Sequence, residues 1–298
     1  EPERFTQRVT AMHLTELQQV ANGRLFDFAF VSVKSYDTVW ATEMIRQYLV
    51  PGGFTVSLQN GINEERMAGV IGWGKTVGCI ASTIAVELTA PGHVRRNVKL
   101  GGGQHTIFRV GEPHGRITER AQMIAGMLSC VDSAKTTTNL WGERWSKLAV
   151  NCMRNPVAAA TGRGGNANDT DDHTRMLAIR IAAEAVEVGQ ALGYALEPVY
   201  GMAPDDVVGA AKGDKPALGR VEARLSENMK RRSDKQRPSM GQDIEKGRRT
   251  EIDFINGLVV EKAATLGIPT PANLGIIEAV KKVERGEAKP GPELVAAI

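Results

Sequence analysis

The chain has 298 residues, of which 42% are hydrophobic and 24% are charged, as in a globular protein with a sizeable core. Its net charge of +3 is too small to favour nucleic-acid binding, and its apolar runs are shorter than the ~18 residues of a membrane-spanning helix. Cys79, Cys130 and Cys152 are far apart and odd in number, which predicts neither a disulfide framework nor a metal site. Because the polar opening lacks the apolar stretch of a secretory signal, we expect a cytoplasmic protein.

Up to residue 138, predicted strands and helices alternate. A strand at 27–33 is followed by a helix at 38–49, which Pro51-Gly52-Gly53 is expected to stop, and by a strand at 54–58. A helix at 63–70, capped by Asn63, precedes a strand at 77–85, and further strands are predicted at 94–100, 105–110 and 130–135. This alternation predicts an α/β domain with a parallel sheet over residues 1–138.

Residues 69–76, GVIGWGKT, match the phosphate-loop pattern G-x-x-x-x-G-K-[ST]. That pattern binds phosphate only where a strand enters the loop and a helix leaves it. Here a predicted helix precedes Gly69 and a predicted strand follows Thr76. The match therefore predicts a helix-to-strand turn, with Lys75 in solvent, and no nucleotide triphosphate site.

Residues 139–298 are predicted to form an all-helical domain. Apolar residues recur every three to four positions in 143–160, 172–192, 218–231 and 240–266, and Pro271 opens a last helix that reaches about residue 283. Residues 194–216 are predicted as loop. The long helix after Ser239, with Ser239 as its cap, makes a homodimer an open prediction.

Lys147, Asn151 and Asn155 lie four residues apart and form one polar stripe on an otherwise apolar helix. One interpretation is a solvent-facing stripe. The other is a partly buried lysine flanked by amides, which suits a carbonyl or carboxylate ligand. Pro156 disfavours a regular helix at the end of the stripe. Glu251 is, on pattern alone, either an exposed helical glutamate paired with a basic residue or a second site residue.

Four segments together resemble successive motifs of the ketopantoate reductases: VSVKSYDT (31–38), VSLQNGINEE (56–65), WSKLAVNCMRNPVAA (145–159) and PSMGQDIEKGRRTEIDFINGLVVEKAATLGIPTPAN (238–273). Members of that family are 2-dehydropantoate 2-reductases, oxidoreductases of pantothenate biosynthesis that use NADPH. The resemblance implies an N-terminal Rossmann-type domain, a helical C-terminal domain and an active site in the cleft between them.

The resemblance also implies roles for individual residues. Lys147 would be the general acid, and Glu251 would act beside it. The substrate-binding residues would be polar side chains from both domains: Asn60, Asn151, Asn155, Asn166 and Ser239. The cofactor-binding residues would be Lys34, Asn60 and Glu251. Gln236 stands where relatives often have an asparagine, so the identity of the 2-keto acid is open.

The resemblance breaks down before Lys34, where a Rossmann domain has a strand and the loop G-x-G-x-x-G. Gly23 is the only glycine there, and Gly101-Gly102-Gly103 lacks the pattern. The first strand and the glycine loop are thus expected to be missing, through an incomplete sequence or a lost cofactor anchor. The leading hypothesis is NADPH-dependent reduction of a 2-keto acid, most simply 2-dehydropantoate to pantoate. The alternatives are a reductase of another 2-keto acid and a non-catalytic binding or dimerisation protein.

Overall fold

The structure, a computed structural model, describes residues 4–20, 25–101, 105–232 and 238–298. Several sequence features named above therefore lie outside the described residues: the first three residues of the polar opening, Gly23, Gly102, Gly103 and Gln236. Within the described part of the chain, no helix is long and apolar enough to cross a lipid bilayer.

Among the described residues, the strands lie in the first half of the chain: β1 Phe26–Val31, β2 Leu49–Ser57, β3 Thr76–Ala81, β4 Val86–Ala90, β5 His93–Arg96, β6 Phe108–Gly111 and β7 Ala134–Thr137. A five-stranded sheet has the order β1-β2-β3-β6-β7, and β4 and β5 form a separate hairpin. Strands β1 to β3 are parallel, whereas β6 runs antiparallel to β3 and β7 parallel to β6.

The predicted parallel sheet is confirmed for β1 to β3, and β6 is an antiparallel addition to it. A parallel neighbour needs a crossover connection, usually a helix. The described residues between β3 and β6 instead contain the β4–β5 hairpin and no crossover helix, so β6 returns in the opposite direction.

The α-helices, in chain order, are α1 Leu17–Val20, α2 Thr38–Arg46, α3 Glu64–Ile71, α4 Glu119–Leu128, α5 Leu140–Thr161, α6 Gly165–Thr170, α7 Asp172–Ala191, α8 Pro204–Ala211, α9 Lys215–Arg231, α10 Ser239–Glu245, α11 Ile252–Leu266 and α12 Pro271–Glu284. From α5 onward the chain packs around a core built on α5 and α7. The predicted α/β part followed by a helical part is confirmed. Helix α8 lies inside the region predicted as loop, and α4 and α6 were also not predicted.

Two proline predictions fail for different reasons. Helix α2 ends at Arg46 before Pro51 is reached, and Pro51 lies within β2, beside the irregular register between β1 and β2. Proline is tolerated at such irregularities because a ladder hydrogen bond is already missing. Pro156 lies inside α5, which continues regularly to Thr161. The carbonyl of Cys152, which Pro156 cannot bond, accepts instead from Asn256 Nδ2 of α11 at 3.3 Å.

The helix predicted from Met240 to Leu266 is two helices, α10 and α11. A turn at Gly247, whose φ is +60°, separates them and returns the Arg248 N–H to the Asp243 carbonyl at 2.8 Å. Ser239 is the first residue of α10 and forms no capping hydrogen bond, so its predicted capping role is wrong. Because of the break, Glu251 is the residue immediately before α11 and does not lie within a helix.

GVIGWGKT has the predicted helix-to-strand setting. Helix α3 ends at Ile71, a 3₁₀ turn spans Trp73–Lys75, and β3 begins at Thr76. The segment therefore lacks the strand-to-helix geometry that aims backbone N–H groups at a phosphate.

Because Lys75 is partly exposed in this turn, Lys75→Ala should change the free energy of unfolding by no more than ~0.5 kcal/mol. Mg·ATP should leave the melting temperature of both proteins unchanged. Scanning fluorimetry with and without Mg·ATP measures this. An ATP-dependent rise in the parent that disappears in Lys75→Ala would contradict the turn assignment.

Candidate active site

Helix α5 carries the polar stripe into the interior. Lys147 and Asn151 are partly buried, and Asn155 is only 7% exposed. The residues between them belong to the main core, among them Leu148, Cys152 and Met153. The burial does not fit a solvent-facing stripe, so the second interpretation, a partly buried lysine flanked by amides, describes α5.

A cavity of about 290 Å³ lies between Lys147 and the ends of β1, β2 and β3. Its wall is built from residues that follow these parallel strands, together with two residues of the helical part: Ser32, Val33, Lys34, Leu58, Gln59, Asn60, Ala81, Ile84, Lys147 and Glu251. Ligands of doubly wound sheets bind at this carboxyl edge. The fold thus brings four sequence-predicted site residues together: Lys34, Asn60, Lys147 and Glu251.

Glu251 is buried and reaches across to the loop after β1. Its Oε1 accepts from the Ser35 backbone N–H at 2.9 Å and from Ser35 Oγ at 2.8 Å. Its Oε2 lies 3.4 Å from Lys34 Nζ. The carboxylate therefore ties the start of α11 to the loop after β1, and it is not the exposed helical glutamate of the alternative interpretation.

Lys34 is held between two carboxylates, since its Nζ also lies 2.5 Å from Asp243 Oδ2 of α10. Burial lowers the pKa of Lys34, but the hydrogen bond with Asp243 and the charges of Glu251 and Asp243 outweigh it, so the pKa is raised. Lys34 is accordingly a permanent cation in this cavity.

Lys147 differs from Lys34 in having no carboxylate partner. Its ammonium forms no hydrogen bond or salt bridge with the other described residues. Burial, followed by repulsion from Arg144, lowers the pKa of Lys147 to about 7, although Cys79, Glu251 and Glu64 act in the other direction. Near neutral pH this amine can therefore both hold and release a proton.

Asn60, in the turn after β2, lines the cavity. Gly61 has φ +73°, and a Cβ there would lie 3.1 Å from the Phe254 carbonyl, so the turn needs glycine. The Asn60 carbonyl accepts from Asn63 Nδ2 at 2.9 Å, while Asn63 makes no capping hydrogen bond to α3. Asn63 thus occupies the predicted N-cap position, but its amide braces the turn instead of bonding the helix.

Two buried polar atoms near this cavity have no hydrogen-bond partner among the described residues: Nδ2 of Asn151 on α5 and Oε1 of Gln59 on the cavity wall. A buried donor or acceptor without a partner is costly, by ~1–3 kcal/mol. Gln59 lines the cavity, and Asn151 lies one helical turn after Lys147 on α5.

Four predicted substrate residues do not line the cavity: Asn151, Asn155, Ser239 and Asn166. Helix α10, which Ser239 opens, packs on α5, so Ser239 and Asn155 lie on adjoining elements. Asn166 is engaged elsewhere: Arg232 Nε donates to its Oδ1 at 2.8 Å, and its Nδ2 lies near the Met229 carbonyl at 3.4 Å. The structure therefore groups Asn166 with the end of α9 and not with Lys147.

Sequence reasoning missed two further groups. Asp243 lies in the quoted PSMGQD motif and shares Lys34 with Glu251. Arg144 and Glu64 form a fully buried ion pair with Nε–Oε1 at 2.7 Å. The available signal was spacing, because Arg144 lies one helical turn before Lys147 on the same face of α5.

Comparison with known proteins identifies the family. The family model "Ketopantoate reductase PanE/ApbA" matches residues 3–108, and "Ketopantoate reductase PanE/ApbA C terminal" matches residues 139–284. A 2-dehydropantoate 2-reductase of Archaeoglobus fulgidus is 31% identical over 262 residues, covering 87% of this chain and 77% of the relative. The chain belongs to the ketopantoate reductase family. As a member of the family, it is an oxidoreductase, and the predicted resemblance is confirmed.

Two solved structures extend the comparison. The ketopantoate reductase of Ralstonia eutropha JMP134 is 26% identical, with a TM-score of 0.70, and is matched over 89% of this chain and 78% of that one. D-mandelate dehydrogenase, solved with NADH and anilino(oxo)acetate, is 19% identical, with a TM-score of 0.70, and is matched over 88% and 77%. The second likeness shows that the fold is shared with an enzyme of another name.

The lowered pKa of Lys147 makes stability depend on pH. Between about pH 7 and the ordinary value of 10.5, the unfolded chain holds this proton and the folded chain does not, so stability rises with pH in that window. Below about pH 7 both states are protonated and the penalty is constant. Lys147→Met removes the penalty, and its melting temperature at pH 7 should exceed that of the parent by several degrees.

Thermal unfolding of the parent and of Lys147→Met, measured from about pH 6 to pH 10, tests this. The gap between the two melting temperatures should narrow as pH rises. Two parallel curves would show that Lys147 titrates as an ordinary lysine.

Proposed function

We propose that this member of the ketopantoate reductase family reduces a 2-keto acid with NADPH, with 2-dehydropantoate as the substrate and pantoate as the product. The observation that carries the proposal is the unpaired, partly buried ammonium of Lys147 on the wall of a cavity at the carboxyl edge of the sheet. The relatives named 2-dehydropantoate 2-reductase support this choice of substrate.

The residues of the cavity fit the nicotinamide end of the cofactor. Lys34 supplies a fixed positive charge, and Asn60 contributes a side-chain amide that can hydrogen-bond a carboxamide. A bound nicotinamide cofactor supplies the hydride for this reaction. The described residues contain no strand, G-x-G-x-x-G loop and helix in succession, so we assign no pyrophosphate site to them.

Lys147 supplies the proton. As the carbonyl carbon of the keto acid is reduced, negative charge grows on its oxygen, and an ammonium within hydrogen-bond reach stabilises that charge and protonates it. Glu251 assists from the opposite wall: its charge favours the protonated lysine, while it holds Ser35 and Lys34 in place.

Asn151 and Asn155 are proposed to bind the substrate, through the unpartnered Nδ2 of Asn151 in particular. Asn60 and Ser239 would bind it from facing elements, Ser239 at the carboxylate. Asn166 becomes a substrate contact only if its hydrogen bonds with Arg232 and the Met229 carbonyl open.

A second candidate function is the reduction of another 2-keto acid, since the fold is shared with D-mandelate dehydrogenase. Turnover rates with a panel of 2-keto acids separate the two candidates. A third, a non-catalytic binding protein, would require that no 2-keto acid is turned over.

The proposal also covers the domain boundary, the oligomeric state and the location of the protein. We place the domain boundary at 138/139, between the end of β7 at Thr137 and the start of α5 at Leu140, so that 1–138 is the Rossmann-type domain and 139–298 the helical one. The homodimer and the cytoplasmic location also remain predictions, and the single long helix that suggested the dimer is divided into α10 and α11.

Lys147→Ala is expected to fold and to lose roughly two to four orders of magnitude in kcat with 2-dehydropantoate, the usual worth of a positioned acid. NADPH affinity should change little, because Lys147 contacts the substrate oxygen. Steady-state kinetics and NADPH fluorescence titration measure both, with Lys75→Ala as the lysine control. Near-normal turnover in Lys147→Ala would remove the general-acid assignment.

Asn60→Ala and Ser239→Ala should differ in what they affect. Ser239→Ala should raise KM for the keto acid more than it lowers kcat, because a carboxylate contact exists in both the ground and transition states. Asn60→Ala should weaken both NADPH and keto-acid use, and the parent should prefer NADPH to NADH. Parent-like constants in Asn60→Ala would show that the turn does not contact either ligand.

A further inference from the structure

A buried ion pair joins the helical part to the sheet beside the cavity. Arg144 and Glu64 side chains are 1% and 0% exposed, and Arg144 Nε lies 2.7 Å from Glu64 Oε1. Glu64 in turn accepts at Oε2 from the Asn63 backbone N–H at 3.1 Å. The pair thus connects α5 to the first turn of α3.

The same guanidinium also binds the end of β2. Its Nη1 donates to the Gln59 carbonyl and its Nη2 to the Ser57 carbonyl, both at 2.9 Å. These carbonyls immediately precede the Asn60 turn. Arg144 therefore holds, by hydrogen bonds, the strand end that leads into the Asn60 turn.

On its own helix, Arg144 lies one turn before Lys147. Residues three apart on an α-helix share a face, so any shift of the Arg144 anchor moves Lys147 in the same direction. One planar group with a fixed fork of donors therefore fixes both walls of the cavity: the Lys147 wall through α5 and the Asn60 wall through β2.

We infer that Arg144 is a positioning residue, which with its counterion Glu64 sets Lys147 opposite the Asn60 turn. This inference rests on the proposed function, in which Lys147 acts on the substrate oxygen. A misplacement of about 1 Å can lower a rate ~100-fold, so an anchor at this point bears directly on turnover.

Arg144 also acts on Lys147 through its charge. The charged and titratable groups that face Lys147 are Arg144 from α5, Cys79 from β3, Glu64 from α3 and Glu251 before α11. Arg144 lowers the pKa of Lys147 more than Glu64 raises it, because Glu64 is the smallest of these influences. Removing both charges should therefore raise the pKa of Lys147.

The test is the paired variant Arg144→Gln/Glu64→Gln, because a single change would leave one buried charge without a counterion. The matched control is Glu65→Gln/Lys262→Gln. It removes the neighbouring exposed pair between α3 and α11, with Nζ–Oε2 at 2.8 Å, and leaves α5 untouched.

Two readouts are needed. With saturating NADPH, kcat should fall roughly 10- to 100-fold in the paired variant while KM changes less than about threefold. Independently of catalysis, the pH dependence of Lys147 acetylation by acetic anhydride, read by mass spectrometry, should shift its midpoint upward from about pH 7. The control variant should match the parent in both.

Unchanged kcat and an unchanged acetylation midpoint in a folded paired variant would overturn the inference, as would equal losses in the control. If the paired variant does not fold, Arg144→Lys is the test instead. This variant keeps the positive charge but loses the planar set of guanidinium donors. A parent-like kcat in it would also overturn the inference that Arg144 positions Lys147. If the parent turns over no 2-keto acid, the proposed function fails, whereas the acetylation shift still reports whether Arg144 governs Lys147.

Discussion

The contact between Arg144 and the end of β2 is the constraint on which the geometry of the site depends. A guanidinium buried to 1% exposure is stable only because Glu64, Ser57 and Gln59 occupy its donors. Removing one member of such a pair typically costs about 3–5 kcal/mol, so α5 cannot rotate or slide freely on the sheet. Arg144 lies one turn before Lys147 on α5, so the anchor holds the part of the helix that carries Lys147.

The cavity contains two lysines whose pKa values move in opposite directions. Lys34 lies between Asp243 and Glu251, so its positive charge is stabilised. Lys147 has burial and Arg144 against it and no paired carboxylate, which brings its pKa to about 7. The same side chain is thus a fixed charge at one position and a group that titrates near neutral pH at the other, and the difference comes from burial and from the neighbouring charges.

The local sequence pattern was sufficient to predict much of the fold. The α/β-then-helical order, the context of GVIGWGKT and the helix that carries Lys147 all follow from apolar periodicity and chain order. The direction of β6, the continuation of α5 through Pro156 and the break at Gly247 depend on contacts between distant segments. The Cys152 carbonyl, for example, is satisfied by Asn256, more than a hundred residues away.

The structure brings part of the predicted site together, while the roles of its residues stay predictions. Lys147, Lys34, Asn60 and Glu251 line one cavity, as the family motifs imply. Asn166 was placed by a match across a loop of different length, and it lies with α9 instead. The spacing of Arg144 from Lys147 places it on the same face of α5, but its burial, its counterion on α3 and its bonds to the carbonyls of β2 are known only from the structure.

The most direct test of this account is the pH dependence of hydride transfer in a single turnover. NADPH oxidation would be followed by stopped-flow absorbance after mixing the NADPH-loaded parent, or Lys147→Ala, with excess 2-dehydropantoate. If protonated Lys147 is the acid, the parent rate falls through one titration step near pH 7, and that step is absent from the residual rate of Lys147→Ala. A parent rate that is flat from about pH 6 to pH 10, or the same step in both proteins, would contradict the account.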